Sequence, residues 1–270
     1  MDIIGVNDLM IYLSAGAVAG ILAGLLGIGG GLVIVPVLLW VFGLQRVPSG
    51  IAPHLAVGTS LATIVFTSLS SIRAHHRHGA VRWDVARSLI PGIVAGALAG
   101  ALIAGWMSGP WLQRLFALFV VTVGVRMLRG AAGVVARTGL PGVGGMAAAG
   151  GGIGALSSMV GIGGGTLTVP FLAASGVGMR EAVATASACG LPIALAGSIG
   201  FAVVGWGHPG LPAGALGFIH LPAALAVVAA SVPCARTGVH LAHRLPLVAL
   251  RRLFAVLLLV VGARLLLESV

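Results

Sequence analysis

Long apolar runs separated by short polar turns make up most of this chain. A helix needs about 20 apolar residues to cross the roughly 30 Å hydrocarbon core of a bilayer. Runs on this scale occupy residues 9–27, 50–72, 88–107, 111–128, 182–204, 212–234 and 250–267. The pattern predicts an all-α polytopic membrane protein.

The same glycine cluster interrupts two apolar segments. Residues 24–39, GLLGIGGGLVIVPVLL, and residues 158–173, SMVGIGGGTLTVPFLA, each place GIGGG before a short second run. These second runs, 32–43 and 166–175, contain about a dozen residues, which rise only about 18 Å as a helix and cannot span the core alone. We therefore predict that each half has a helix broken at the glycines and followed by a re-entrant segment or half-helix.

The two clusters belong to a repeat that extends along the chain. Three pairs of segments match in the same order: 20–38 with 154–172, 54–62 with 180–188, and 112–128 with 250–266. The first pair is identical at ten of nineteen positions. Because matches in a fixed order indicate internal duplication, we predict a first transmembrane repeat at 1–130, a linker at 131–149 and a second repeat at 150–270.

Arginine placement indicates that the two repeats cross the membrane in opposite directions. Cytoplasmic loops are enriched in Arg and Lys. Loop 73–87 has four arginines and its counterpart 205–212 has none, whereas 107–113 has none and its counterpart region 236–252 has four. Equivalent loops therefore face opposite sides, as in the inverted-topology repeats of secondary transporters, which hold substrate near the midplane between the repeats.

Composition supports the membrane assignment. Hydrophobic residues make up 59% of the chain and charged residues 7%, whereas soluble domains have about a quarter charged residues. The net charge of +10 comes from arginines, which lie mostly at the ends of apolar runs. The charge therefore predicts topology, with the lipid bilayer and not nucleic acid as the partner.

The paired GIGGG clusters are the predicted substrate site. Consecutive glycines expose N–H groups that can surround an anion, and the following helix directs the positive end of its dipole at the same point. The predicted members are the cluster glycines and nearby hydroxyl residues, namely Gly27, Gly29, Gly30, Gly31, Gly161, Gly163, Gly164, Gly165, Thr166, Thr59, Ser60, Thr185 and Ser187. The hydroxyl groups outside the clusters can alternatively bond back to their own helices.

Two ionisable residues, His54 and Arg180, occupy equivalent positions at the starts of paired apolar runs. Ionisable groups within a membrane are costly and indicate functional sites by default. Arg180 can complement an anion bidentately and His54 can exchange a proton near neutral pH, so we assign them to charge complementation or coupling. Both positions also suit residues that mark the membrane interface.

A second set of glycines, spaced four residues apart, predicts close helix packing. This set comprises Gly16, Gly20, Gly24, Gly92, Gly96, Gly100, Gly150 and Gly154. Such spacing lets two backbones approach along one face of a helix, which a run of consecutive glycines does not do.

The sequence predicts neither an enzyme nor a metal or cofactor site. His75, His76 and His78 lie in the arginine-rich loop with only Asp84 as a carboxylate neighbour, so a solvated loop is favoured over a metal centre. Motifs such as HExxH and GxSxG are absent from the sequence. The few carboxylates argue against a carboxylate-built cation site, although backbone carbonyl groups can still hold Na⁺.

The two motif copies, GIGGGLVIVP and GIGGGTLTVP, together with HLAVGTSLA and HRHGAVRWDVARSLIPG, resemble the TauE/SafE family of the sulfite/organosulfonate permease superfamily. The resemblance covers nearly the whole chain. It implies a multi-pass transporter of the bacterial inner membrane that moves sulfite, an organosulfonate or a related small sulfur-containing or organic anion. It also implies that Gly27–Gly31 and Gly161–Gly165 line the substrate path.

The leading hypothesis is a secondary transporter that works by alternating access between two inverted repeats. A passive anion channel and a membrane subunit that scaffolds a partner enzyme remain the alternatives. The sequence leaves open whether H⁺ or Na⁺ is the coupling ion and whether the protein forms a homo-oligomer.

Overall fold

The computed structural model describes residues 6–26, 30–129, 139–242 and 247–268, and these residues are mostly helical. The described helices are α1 (Val6–Leu26), α2 (Gly31–Leu44), α3 (Ala52–Arg77), α4 (Trp83–Trp106), α5 (Gly109–Arg129), α6 (Val143–Val160), α7 (Gly165–Ala174), α8 (Met179–Val204), α9 (Leu221–Ala242) and α10 (Leu247–Glu268). A short antiparallel hairpin of β1 (Ala215–Leu216) and β2 (Ile219–His220) precedes α9.

Helix lengths confirm the all-α polytopic class predicted from hydropathy. Among the described residues, five helices are long and apolar enough to cross a membrane, namely α3, α4, α5, α6 and α8. By contrast, α2 has 14 residues and α7 has 10. At about 1.5 Å per residue they extend only about 21 Å and 15 Å, less than the roughly 30 Å hydrocarbon core.

Two element boundaries differ from the sequence-based expectation. Helix α6 begins at Val143, inside the predicted linker at 131–149, and its glycine-rich sequence kept it out of the set of long apolar runs. The predicted apolar run at 212–234 is helical only from Leu221 onwards. Its first residues form the hairpin because Gly214 and Gly217 adopt left-handed φ values of +81° and +55°, which end helical geometry.

Small residues bring α4 and α6 into backbone contact. A Cβ atom on Gly96 would overlap the carbonyl oxygen of Gly151, and one on Gly154 would overlap that of Ile93. The same holds between α1 and α9, where a Cβ on Gly20 would lie 2.5 Å from the carbonyl oxygen of Ser231. Close packing is confirmed for the predicted set, namely Gly16, Gly20, Gly92, Gly96, Gly100, Gly150 and Gly154.

The helices pack in pairs that correspond between the two halves. Helix α3 packs on α8, α5 packs on α10, α1 packs on α9 and α6 packs on α4. The first half supplies α1 to α5 and the second half α6 to α10. If each helix is exchanged for its counterpart five positions later, this set of pairs maps onto itself. The central pair is α3 and α8, which surrounds the interruption between α6 and α7.

Exposed tryptophans collect at one end of the bundle. This end contains the C-termini of α4 and α8, since a Cβ on Gly105 would overlap the Val204 side chain. It also contains the start of α5, because Gly109 lies against the carbonyl oxygens of Ser49 and Gly50. The exposed tryptophans near this end are Trp40, Trp106, Trp111 and Trp206. Tryptophan is enriched where a helix meets the membrane–water interface.

Candidate functional site

The chain leaves helical geometry between α6 and α7, near the middle of the bundle. Gly161 follows α6 with a φ of +72°, a left-handed conformation that favours glycine. The N–H of Ile162 donates to the carbonyl oxygen of Ser157 at 3.0 Å and closes the end of α6. Helix α7 begins at Gly165, and its first N–H groups have no partner within the helix, as at any helix N-terminus.

The start of α2 lies directly against this segment. A Cβ atom on Gly31, the first residue of α2, would lie 2.5 Å from the carbonyl oxygen of Gly161 and 2.8 Å from Cα of Ile162. On the other side, a Cβ on Gly164 would lie 2.6 Å from the carbonyl oxygen of Ala186 in α8. The two GIGGG clusters therefore meet, and only hydrogen side chains fit where they do.

The remaining glycines of the second cluster have more room. A Cβ on Gly163 would lie 3.4 Å from Cγ2 of Ile64, an ordinary van der Waals contact. Ile64 also reaches the first cluster, since its Cδ1 is 3.1 Å from the corresponding Cβ position on Gly31. Gly165 is half-buried at the first position of α7. Ile64, itself 3% exposed, thus separates the two clusters.

Three hydroxyl groups adjoin this segment and differ in their bonding. Ser60 Oγ of α3 donates to the carbonyl oxygen of Gly161 at 2.8 Å and holds the end of α6 in place. Thr166 Oγ1 and Thr168 Oγ1, in the first turn of α7, are buried and have no hydrogen-bond partner among the described residues. Buried hydroxyl groups without partners are costly, so these two are available to a ligand.

The first glycine cluster is only partly described. Gly30 is buried and precedes α2, and its carbonyl oxygen accepts the N–H of Ile34 at 2.9 Å. Gly27 and Gly29, both predicted site residues, lie outside the described residues. The contacts of the first cluster therefore come from Gly30 and Gly31.

Three predicted hydroxyl residues bond elsewhere. Thr59 Oγ1 accepts the backbone N–H of His220 at 2.9 Å, and Thr185 Oγ1 accepts that of Arg82 at 3.0 Å. Ser187 Oγ donates to the carbonyl oxygen of Val183 in its own helix at 3.0 Å. These hydroxyl groups hold neighbouring backbone and do not join the glycine segment.

The structure also keeps the two predicted ionisable residues away from the glycines. Arg180 is exposed in the first turn of α8. Ala186, where α8 meets Gly164, lies six residues further on, about 9 Å along a helix. His54, in the first turn of α3, is 3% exposed, and its Nε2 lies 2.9 Å from the carbonyl oxygen of Ala104. Its Nδ1 is buried without a partner in the described part of the chain.

A buried polar cluster near the tryptophan-bearing end was not predicted from the sequence. His220, 6% exposed, has its ring 5.5 Å from that of Tyr12 and 5.8 Å from that of Phe42. The Tyr12 hydroxyl donates to Gln45 Oε1 at 2.7 Å. The available signal was a histidine and a tyrosine inside apolar stretches, because such groups need polar partners when buried.

At the opposite end, Arg82 joins the starts of α4 and α8. Its guanidinium lies 2.6 Å from the Asp84 carboxylate and 3.7 Å from that of Glu181. Hydrogen bonding to Asp84 raises the pKa of Arg82. In the adjoining loop, Trp83 Nε1 donates to His76 Nδ1 at 3.2 Å. Within the described residues there is no group of three or more side chains suited to a metal ion.

Comparisons with known proteins agree over most of the chain. The profile of the sulfite exporter TauE/SafE family matches residues 12–265. A probable membrane transporter protein of Haemophilus influenzae is 37% identical over 265 residues, covering 96% of this chain and 98% of that protein. A probable membrane transporter protein of Methanocaldococcus jannaschii is 27% identical over 194 residues, covering 65% of this chain and 66% of that protein. No solved structure matches this chain significantly.

These similarities point to a membrane transporter rather than an enzyme. Together with the five apolar helices, they confirm the predicted location, a multi-pass protein of the bacterial inner membrane.

Proposed function

This chain belongs to the sulfite exporter TauE/SafE family, and from that membership we propose a secondary transporter that moves a small anion by alternating access. The substrate class is sulfite, an organosulfonate or a related sulfur-containing or organic anion. The proposed site is the segment between α6 and α7, where the two glycine clusters meet.

The observation that carries this proposal is the meeting of two helix N-termini at one buried segment. Helix α2 starts at Gly31 and α7 at Gly165, and Gly31 lies against Gly161. Each N-terminus carries unpaired N–H groups and about half a positive charge from the helix dipole, which together favour an anion. No Asp or Glu is buried among the residues whose burial is described, so nothing acidic opposes an anion there.

We assign most of the substrate contacts to the second half. Thr166 and Thr168 provide buried hydroxyl groups without partners, whereas Leu32 and Ile34 stand at the equivalent positions of the first half. An asymmetric ligand needs such a difference between related sites. The hydroxyl groups can donate to anion oxygens that the α7 N–H groups also contact.

The alternating-access part of the proposal rests on an inverted repeat. Its support is the set of helix pairs that maps onto itself when the halves are exchanged, together with the opposite arginine content of equivalent loops. In this arrangement α1 with α2 and α6 with α7 are two re-entrant hairpins entering from opposite sides. Transporters with such repeats alternate by moving one unit against the other around a fixed site.

A Thr168→Val variant tests the anion site. Valine keeps the shape of threonine and removes an unpaired buried hydroxyl, so we expect unchanged or higher thermal stability. If the hydroxyl binds the anion, flux at low substrate concentration falls by about tenfold or more, the value of a hydrogen bond to a charged group. The measurement is uptake of sulfite, sulfoacetate and thiosulfate into proteoliposomes.

The matched control is Ile34→Val at the equivalent buried position of the first half, which should leave flux near that of the unmodified protein. Equal flux in Thr168→Val and Ile34→Val would refute the proposed anion contact. Absence of flux for every anion with the unmodified protein favours the scaffolding alternative, and flux that no H⁺ or Na⁺ gradient can drive favours a passive channel.

A further inference from the structure

Two hydrogen bonds between different helices occupy equivalent places in the two halves. Thr59 in α3 and Thr185 in α8 align within the repeated segments 54–62 and 180–188. Thr59 Oγ1 accepts the backbone N–H of His220, the residue immediately before α9. Thr185 Oγ1 accepts the backbone N–H of Arg82, the residue immediately before α4. Since α4 and α9 are the fourth helices of their halves, one bond is the counterpart of the other.

The two bonds lie on opposite sides of the glycine clusters. Thr59 is one residue before Ser60, which bonds to Gly161, and lies in the half of α3 nearest the tryptophan-bearing end. Thr185 is one residue before Ala186, which adjoins Gly164, and lies in the half of α8 nearest the arginine-rich loop. One bond therefore spans the route from the site to one membrane face, and the other spans the route to the opposite face.

We propose that these bonds are the two latches of the transport cycle, with Thr59 closing the outer route and Thr185 closing the cytoplasmic route. The inference rests on the alternating access proposed above. Opening towards one side breaks one latch and leaves the other formed. With both latches formed, as in this structure, the site is closed on both sides.

The energetics of the bonds suit this role. Each has a single hydroxyl acceptor from another helix, joining residues 161 and 103 positions apart in sequence. Water can replace the hydroxyl when a route opens, so the net free energy of the bond is small. A bond of that size biases two conformations by about two- to tenfold. It can therefore set their populations without locking either one.

The surroundings of the latches differ although their backbones correspond. The outer latch lies beside the buried rings of His220, Tyr12 and Phe42. The cytoplasmic latch lies beside the exposed ion pairs of Arg82. The shared part is the threonine acceptor, so the test changes that part alone.

The reporter for the test is Ile64→Cys in a background with Cys189→Ala and Cys234→Ala, which removes the native thiols. Ile64 lies between the two clusters and is 3% exposed, so a thiol there reacts only when a route opens. A membrane-impermeant maleimide is applied from outside to intact cells and from the cytoplasmic side to inverted vesicles. The ratio of the two labelling rates reports which route is open.

Thr59→Val should raise outside labelling and lower cytoplasmic labelling, so that their ratio rises by about two- to tenfold. Thr185→Val should lower that ratio by a similar factor. The double variant should return the ratio towards its starting value. Thr59→Ser and Thr185→Ser keep the acceptor and should leave the ratio unchanged.

Thr59→Ala and Thr185→Ala repeat the test if a valine variant fails to fold. The inference is overturned if both threonine substitutions change the ratio in the same direction or leave it unchanged, including when both lower thermal stability alike. Such a result would make the bonds static helix caps.

Because labelling needs no substrate, the two proposals fail separately. Opposite shifts without anion flux would retain the latches and refute the anion substrate. Anion flux without opposite shifts would retain transport and refute the latches.

Discussion

Buried polar side chains in this protein divide into those that hold backbone and those that have no partner. Ser60, Thr59 and Thr185 each bond to a backbone group of another helix. Thr168 Oγ1 and His54 Nδ1 have no partner among the described residues. An unpaired buried polar group costs about 1–3 kcal/mol, so these two groups are where a ligand or a proton would lower the free energy most. We assign the proton to His54.

His54→Gln tests proton coupling. The glutamine amide can keep the hydrogen bond from the histidine Nε2 position to the carbonyl oxygen of Ala104, while the titratable ring is lost. We expect folding and anion exchange to persist, and stimulation of uptake by an imposed proton gradient to disappear. Uptake into proteoliposomes with and without a pH gradient measures this. Stimulation that persists in His54→Gln would remove His54 from coupling and direct attention to Na⁺.

At the scale of helices, the pairing of α4 with α6 shows what a sequence can and cannot disclose. The four-residue glycine spacing correctly predicted backbone contact, because that spacing puts glycines on one helix face. It did not identify the partner helix, which depends on the tertiary fold. Hydropathy missed α6 as a long apolar run because its glycines contribute little apolar surface.

Gly96→Ala and Gly152→Ala test this packing as a matched pair. A Cβ on Gly96 would overlap the carbonyl oxygen of Gly151, so α4 and α6 must separate at a cost of about 1–3 kcal/mol. A Cβ on Gly152 meets nothing within 4 Å, and alanine there gains up to about 1 kcal/mol of helix propensity. Thermal unfolding in detergent should show a lower midpoint for Gly96→Ala and an equal or higher one for Gly152→Ala. Equal losses would contradict the packing.

The predicted site shows the same division. Sequence located the glycine segment because consecutive glycines at membrane depth are unusual, and the second cluster does separate α6 from α7. It also grouped Thr59 and Thr185 with that segment, since both lie near it along the chain. Their hydroxyl groups instead face the starts of α9 and α4, an orientation that depends on long-range packing.

For the whole molecule, the tryptophans and the arginines give one orientation. Trp106 and Trp206 are exposed at the end of the bundle opposite loop 73–87, which carries four arginines. Tryptophan indicates an interface, and arginine-rich loops favour the cytoplasm. The tryptophan-bearing end should therefore face outside, which also fits the absence of arginine from loop 205–212.

Single-cysteine labelling tests this orientation. In the background without native thiols, His208→Cys should react with an impermeant maleimide added to intact cells, because loop 205–212 lies outside. His78→Cys should react only after the membrane is permeabilised. Both residues are exposed, so a difference in labelling reports sidedness and not burial. Labelling of both positions in intact cells would contradict the proposed inverted arrangement.

The ion pairs of Arg82 give the two faces of the molecule different sensitivities to ionic strength. Its bonds to Asp84 and Glu181 involve exposed side chains, and mobile ions screen such charges over a Debye length of about 8 Å at physiological salt. The aromatic surroundings of His220 have no comparable exposed charges among the described contacts. If the latches operate as proposed, raising cytoplasmic salt weakens closure on that side alone. The resting population then shifts inward without any change in substrate.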